Sequence, residues 1–187
     1  MTTTHHLSPN PLVALRALRP PTRLTPAQER RVAERQAATL LHLSAAGLPP
    51  YGLEIIGRLP RVRVIRDHRM PVSGSSHWTG SVWVIVLNAT ESEARQRFTA
   101  FHELHHVICQ PFRHFLLDEA VTEKVADQFA ACALMPRPMM RRCWRDHIRH
   151  PEALADLYEV SEPAMRRRLR DLRLGRRRPP SPRGGQP

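Results

Sequence analysis

The chain has 187 residues, enough for one compact domain with short tails. Its longest apolar run, near VWVIVL at 82–87, is far too short to cross a bilayer, and the start MTTTHHLSPN lacks the basic-then-apolar order of a secretory signal, so no membrane partner is expected. The formal net charge of +12 points to nucleic-acid or acidic-protein partners, yet Lys124 is the only lysine, and an Arg, Ala and Pro bias of this kind is also what a GC-rich genome produces.

Cys109, Cys132 and Cys143 are an odd set without framework spacing, which fits a reducing cytoplasm. Prolines crowd both ends, so residues 1–24 are expected as a flexible arm and 175–187 as a disordered basic tail. The folded domain is expected over 25–174.

The segment TPAQERRVAERQAATLLHLSAAG (25–47) predicts a helix. Thr25 and Gln28 supply a capping box, Pro26 suits the first turn, and Gly47 is the expected stop. YGLEIIGRL (51–59) predicts a short second helix, and RVRVIRD (61–67) alternates as a half-exposed strand does. PVSGSSHWTG (71–80) reads as a turn-rich connection. SVWVIVLN (81–88) carries the strongest strand signal in the chain. A long helix follows over 90–110, with Thr90 and Glu93 as its expected capping box. Another helix spans 118–136 and stops at Pro136; MRRCWRDHIRH reads as helical. Residues 151–174 read as two short helices broken at Glu159-Val160-Ser161.

The chemistry concentrates in the helix over 90–110. FHELHH (101–106) contains H-E-x-x-H. At about 100° per residue, His102 and His106 lie roughly 40° apart on one face, one turn apart in height. Two imidazoles so placed can share one metal ion. Glu103 sits beside that line, where a carboxylate can act on water rather than ligate. Ala100, Phe101, Leu104, Val107 and Ile108 occupy the opposite face, so the apolar back is expected to pack and the polar front to be presented. Two plainer readings stand beside this one. The motif is short enough to arise by chance in a histidine-bearing helix, and His102 with His105 is an i, i+3 pair that can also chelate. His105 is otherwise a packed or solvated side chain, Cys109 a small buried residue, and Met139 and Met140 packing residues.

A hydrolytic zinc site needs a third protein ligand and an open position. The next helix offers Glu123 as that ligand, with Asp127 one turn later to accept a hydrogen bond from a ligand imidazole. The helix is otherwise small and apolar at Ala126, Phe129, Ala130, Ala131 and Ala133, as close packing against a neighbour requires.

RQRFTAFHELHH, EKVADQFAACALMP and LADLYEVSEPAMRRRLRDL together resemble the successive motifs of the ImmA/IrrE family of zinc metallopeptidases, over roughly residues 30–174. The acid-bearing helix ending in Leu-Met-Pro is the more discriminating element. The resemblance implies a small α+β, mainly helical, zincin-like domain of the gluzincin type, with a short β-sheet beside the H-E-x-x-H helix. It implies one zinc per chain on His102, His106 and Glu123, with Glu103 as catalytic base. Asp127 stands where the family has Asn or Asp. It also implies a cytoplasmic regulatory endopeptidase whose protein substrate is a helix-turn-helix repressor of a phage, mobile element or stress regulon. His105 stands where the family usually has Gly, and Gln110 where it often has a further His.

Hydrolysis also calls for an oxyanion donor. His114, His147, His150 and Tyr158 are candidates that spacing does not separate, and the strand 81–88 is a candidate edge for a bound peptide. Two rival functions remain. Residues 151–174 resemble a helix-turn-helix whose second helix carries Arg166, Arg167, Arg168 and Arg170, so the chain is alternatively a DNA-binding regulator, and the Arg-rich C-terminal region is expected to bind nucleic acid at least non-specifically. The other rival is a pseudoprotease that holds its regulator without cutting it.

Overall fold

The computed structural model describes residues 10–146 and 148–174. They form a mainly helical α+β domain: eight helices and one three-stranded sheet among the described residues. No helix among them is long and apolar enough to cross a membrane.

The N-terminal residues correct the expected arm. Residues 10–24 carry helix α1 (Pro11–Ala17), capped by Asn10, whose Oδ1 accepts from the Leu12 N–H at 3.0 Å. Leu12 and Leu15 are buried in the main core. Arg19 is itself buried, and its Nη2 meets Glu29 Oε1 at 2.6 Å. A buried charge pair is tolerated only with such close partners, so this pair fixes where α1 lies.

Helix α2 (Pro26–Leu43) starts as the sequence predicts, with the Thr25–Gln28 capping box formed. It ends earlier than Gly47. The Ala45 and Ala46 N–H groups bond back to His42 and Leu41, and Ala45 takes the left-handed conformation at φ 47°. That is a Schellman stop with Ala in the position Gly usually fills. Ala33, Ala37 and Leu40 are fully buried, which lets α2 lie close against α5. The short α3 spans only Glu54–Gly57.

The sheet holds β1 (Val62–Asp67), β2 (Gly74–Trp78) and β3 (Trp83–Asn88). The stretch expected as a connection therefore contains a strand. Its order is β1-β3-β2: β3 pairs with β1 in parallel and with β2 antiparallel. Because β3 is paired on both sides, it offers no edge to a peptide; β2 does.

Helix α4 (Glu93–Cys109) is capped by Ser92, whose Oγ accepts from the Arg95 N–H at 3.3 Å. Thr90 instead donates to Asn88 Oδ1 at 2.6 Å, which places Glu93 at the first helical position rather than the third. A 3-10 turn (Gln110–Phe115) leads to α5 (Glu119–Leu134), capped by Asp118. The fully buried Ala100, Phe101, Leu104, Val107 and Ile108 form the back of α4. Ala126, Phe129, Ala130 and Ala133 form the buried side of α5, which packs on both α2 and α4, with Phe129 against His105 of α4. These two packed backs aim the polar fronts of α4 and α5 into a common cleft. Helices α6 (Arg137–Arg145), α7 (Pro151–Tyr158) and α8 (Glu162–Asp171) complete the fold.

Candidate metal centre

The cleft is built from three elements. Helix α4 contributes His102 and Glu103, with His106 beside them against Glu123, α5 contributes Glu123 and Asp127, and β2 closes one wall with Gly74. The two Nε2 atoms of His102 and His106 face each other at 3.0 Å. Glu123 meets both rings, Oε2 at 3.1 Å from His102 Nε2 and Oε1 at 3.2 Å from His106 Nε2. Ligand atoms of the three residues lie within 4.8 Å of one another.

This donor set fits a zinc ion. Tetrahedral ligands with zinc–nitrogen bonds of about 2.0–2.1 Å stand about 3.3 Å apart, close to the separations found here. Two imidazoles and one carboxylate leave a fourth position open, as hydrolytic zinc sites require. The electrostatics also favour a cation between the rings. Burial works against charge on His102, but the Asp127 hydrogen bond and the carboxylates of Glu123, Asp127 and Glu103 outweigh it and raise its pKa. His106 is held lower, by burial and by the His102 charge.

Asp127 sits behind the ligands. Its Oδ1 lies 3.0 Å from His102 Nδ1, which fixes the ring with Nε2 toward Glu123. That hydrogen bond, with nearby positive charge including Arg167 and Arg95, keeps the Asp127 carboxyl below its usual range.

Glu103 is not among the grouped ligands. One of its oxygens, Oε2, accepts a hydrogen bond from Ser76 Oγ at 2.8 Å, which leaves Oε1 free. Nothing in the sequence marks Ser76, or Gly74 two residues before it, as part of the site. A Cβ at position 74 would come within 2.4 Å of Thr99 Cγ2 and 3.5 Å of Glu103 Cγ. Glycine there lets β2 approach α4 closely enough for Ser76 to reach the carboxylate. Arg95, also unremarked in the sequence, lines the same cleft and donates from Nη2 to Ser73 Oγ at 3.2 Å.

His105 is outside the site. It is 3% exposed, stacks on Phe129 with ring centroids 5.2 Å apart, and has Cys109 Sγ 3.5 Å from its Nε2. Burial first, then the neighbouring positive charges, pushes its pKa down to about 3, so the ring is neutral. The i, i+3 chelate with His102 is not formed, since His105 points into the core. Burial raises the Cys109 thiol to about 12, as for an inert core residue.

Of the candidate oxyanion donors, Tyr158 is fully buried, its hydroxyl 3.6 Å from Cys143 Sγ, so it cannot serve. His114 and His150 do not line the cleft, and His147 lies outside the described residues. Among the candidate DNA-contacting arginines, Arg168 is a correction: it is 2% exposed and donates from Nε to the Met135 carbonyl at 3.0 Å. Arg166 is taken up by Glu162 and Glu152. Arg167 and Arg170 remain exposed. With Met165 and Leu169 in the core and Arg97 bound to Glu159, the α7–α8 pair is packed onto the domain as a structural unit.

Comparison with known proteins agrees with this geometry. No curated protein matches the chain. Among solved structures, a Mycobacterium tuberculosis transcriptional regulator is similar in fold, with a TM-score of 0.56 at 16% identity. The match covers 91% of this chain and 54% of that one, so the chain spans about half the length of that protein. The Peptidase_M78 family model, IrrE N-terminal-like domain, matches residues 60–170 and takes in β1 through α8, with every residue of the cleft. The chain belongs to the family of IrrE N-terminal-like peptidase domains.

Proposed function

We propose that the protein is a zinc-dependent endopeptidase that cuts a helix-turn-helix transcriptional repressor, in the cytoplasm, with one zinc on His102, His106 and Glu123. The observation that carries the reading is the convergence of those three ligands with a separate carboxylate, Glu103, in one open cleft beside a free strand edge.

His102, His106 and Glu123 would hold the zinc ion, which when bound would supply Lewis acidity toward a peptide carbonyl and water. Glu103 takes the proton from the attacking water at its free oxygen and passes it to the leaving amine. Ser76 holds the other oxygen and fixes the carboxylate plane. Asp127 orients His102. The substrate lies along β2, which like β1 has an unpaired outer edge among the described residues and is the edge strand that walls the cleft, and backbone hydrogen bonds hold it extended. Kinship in fold to a transcriptional regulator fits a regulatory target.

The packed α7–α8 pair weighs against the DNA-reading alternative, because Arg168 and Arg166 are already committed within the chain. The free Glu103 oxygen weighs against a pseudoprotease. The test is incubation of zinc-loaded protein with a repressor encoded beside it, with cleavage followed by mass spectrometry. Wild type is expected to yield discrete fragments and Glu103→Gln none. Strong operator preference by this protein alone, with the repressor uncut, would transfer the reading to a transcription factor.

A further inference from the structure

A second pocket, of about 430 Å³, lies between α4, α5 and α8. It shares Arg95, Phe98 and Asp127 with the metal cleft, so the two adjoin. Its size is that of a built small-ligand site. Phe98, Ala131, Met135, Val160 and Ala164 give it apolar walls.

Its charges are uneven. Arg95, Arg167 and Arg168 line it against Asp127 and Asp171; Asp127 is engaged by His102, and Arg95 faces Glu91, which is outside the pocket, at 3.7 Å. No carboxylate among the described residues lies within ion-pair distance of Arg167 or Arg168. Arg168 is buried, and its Nη2 has no hydrogen-bond partner. A buried guanidinium with an unused donor is costly and leaves the wall electropositive. The small excess of positive charge suits a monoanion on a short aliphatic stem; a phosphate dianion would also face the two aspartates.

We propose that this pocket is a specificity subsite that receives an acidic side chain, Asp or Glu, of the substrate peptide, with Arg95 and Arg167 binding its carboxylate and Arg168 reinforcing the charge from behind. This assignment rests on the peptidase reading, because adjacency to the cleft is what makes the occupant part of a peptide crossing the metal site.

Two measurements separate the assignment from the reading beneath it. In the first, zinc-loaded protein digests a degenerate library of end-capped peptides, and the cut positions are sequenced. Asp and Glu are expected at one fixed position from the cut, and Arg167→Glu is expected to exchange them for Lys and Arg. Arg167 is exposed, so the variant keeps its fold. In the second, fluorescein-labelled alanine hexapeptides bearing one Glu, Gln or Lys are titrated against metal-free protein by anisotropy. The Glu peptide is expected to bind about tenfold tighter than the Gln peptide, the scale of a charge-assisted hydrogen bond, and Arg167→Glu is expected to abolish the difference. Cleavage without acid preference, or a preference that survives Arg167→Glu, overturns the subsite alone. Acid-selective binding without any cleavage supports the pocket and sinks the peptidase reading.

Discussion

His102 Nδ1 lies 3.0 Å from Asp127 Oδ1, a contact that ties the H-E-x-x-H helix to the next helix just behind the ligands. On the proposed metal reading, it makes Asp127 a positioning residue for an ion it would not touch. Asp127→Ala is expected to weaken zinc binding about 10–100-fold while leaving the stoichiometry at saturation unchanged. Competition with a fluorescent chelator measures it. Unaltered affinity would remove Asp127 from the account.

Glu103 is expected to matter for rate and not for metal. Glu103→Ala should keep fold and zinc and slow cleavage by about 10²–10⁴-fold, the usual contribution of a positioned base. Cleavage at the wild-type rate would show that Glu103 has no such role.

Gly74 is expected to be a spacing residue. Gly74→Ala places a Cβ 2.4 Å from Thr99 Cγ2, so the variant should lose about 1–3 kcal/mol of stability and part of its activity as Ser76 is drawn away from Glu103. Adding Thr99→Ser, which removes the opposing methyl, should recover most of both. Denaturant midpoints and cleavage rates on the single and double variants check this; a double variant no better than the single one would refute the steric explanation.

His105 separates packing from ligation. His105→Gly deletes a ring buried against Phe129 and adds a helical glycine, so a loss of about 2–5 kcal/mol in denaturant unfolding is expected. Zinc per folded chain should not change. Loss of zinc in that variant alone would restore the i, i+3 chelate.

The ligand helix was legible because its information is local. The 3.6-residue period puts His102 and His106 on one face and the apolar residues on the other, and each side lies where the period places it. What escaped depends on distant pairing. Gly74–Trp78 has no apolar alternation to mark a strand; it becomes one by pairing with β3, which is also what removes β3 from the edge. Ser76 gains meaning only through that pairing. Helix α1 is seven residues long, too short for a periodic signal, and is held by Leu12, Leu15 and the Arg19–Glu29 pair. Ser92 and Thr90 are equally good caps in sequence, and Asn88 settles the choice by engaging Thr90. Arg95 was one arginine among many until the fold set it in the cleft.

The claim beneath all of these is a single metal centre on three residues, and elemental analysis of the purified protein tests it most directly. Wild type is expected to hold about one zinc per chain, and the His102→Ala/Glu123→Ala double variant, folded by circular dichroism, none. Stoichiometric zinc retained in the double variant would contradict the site.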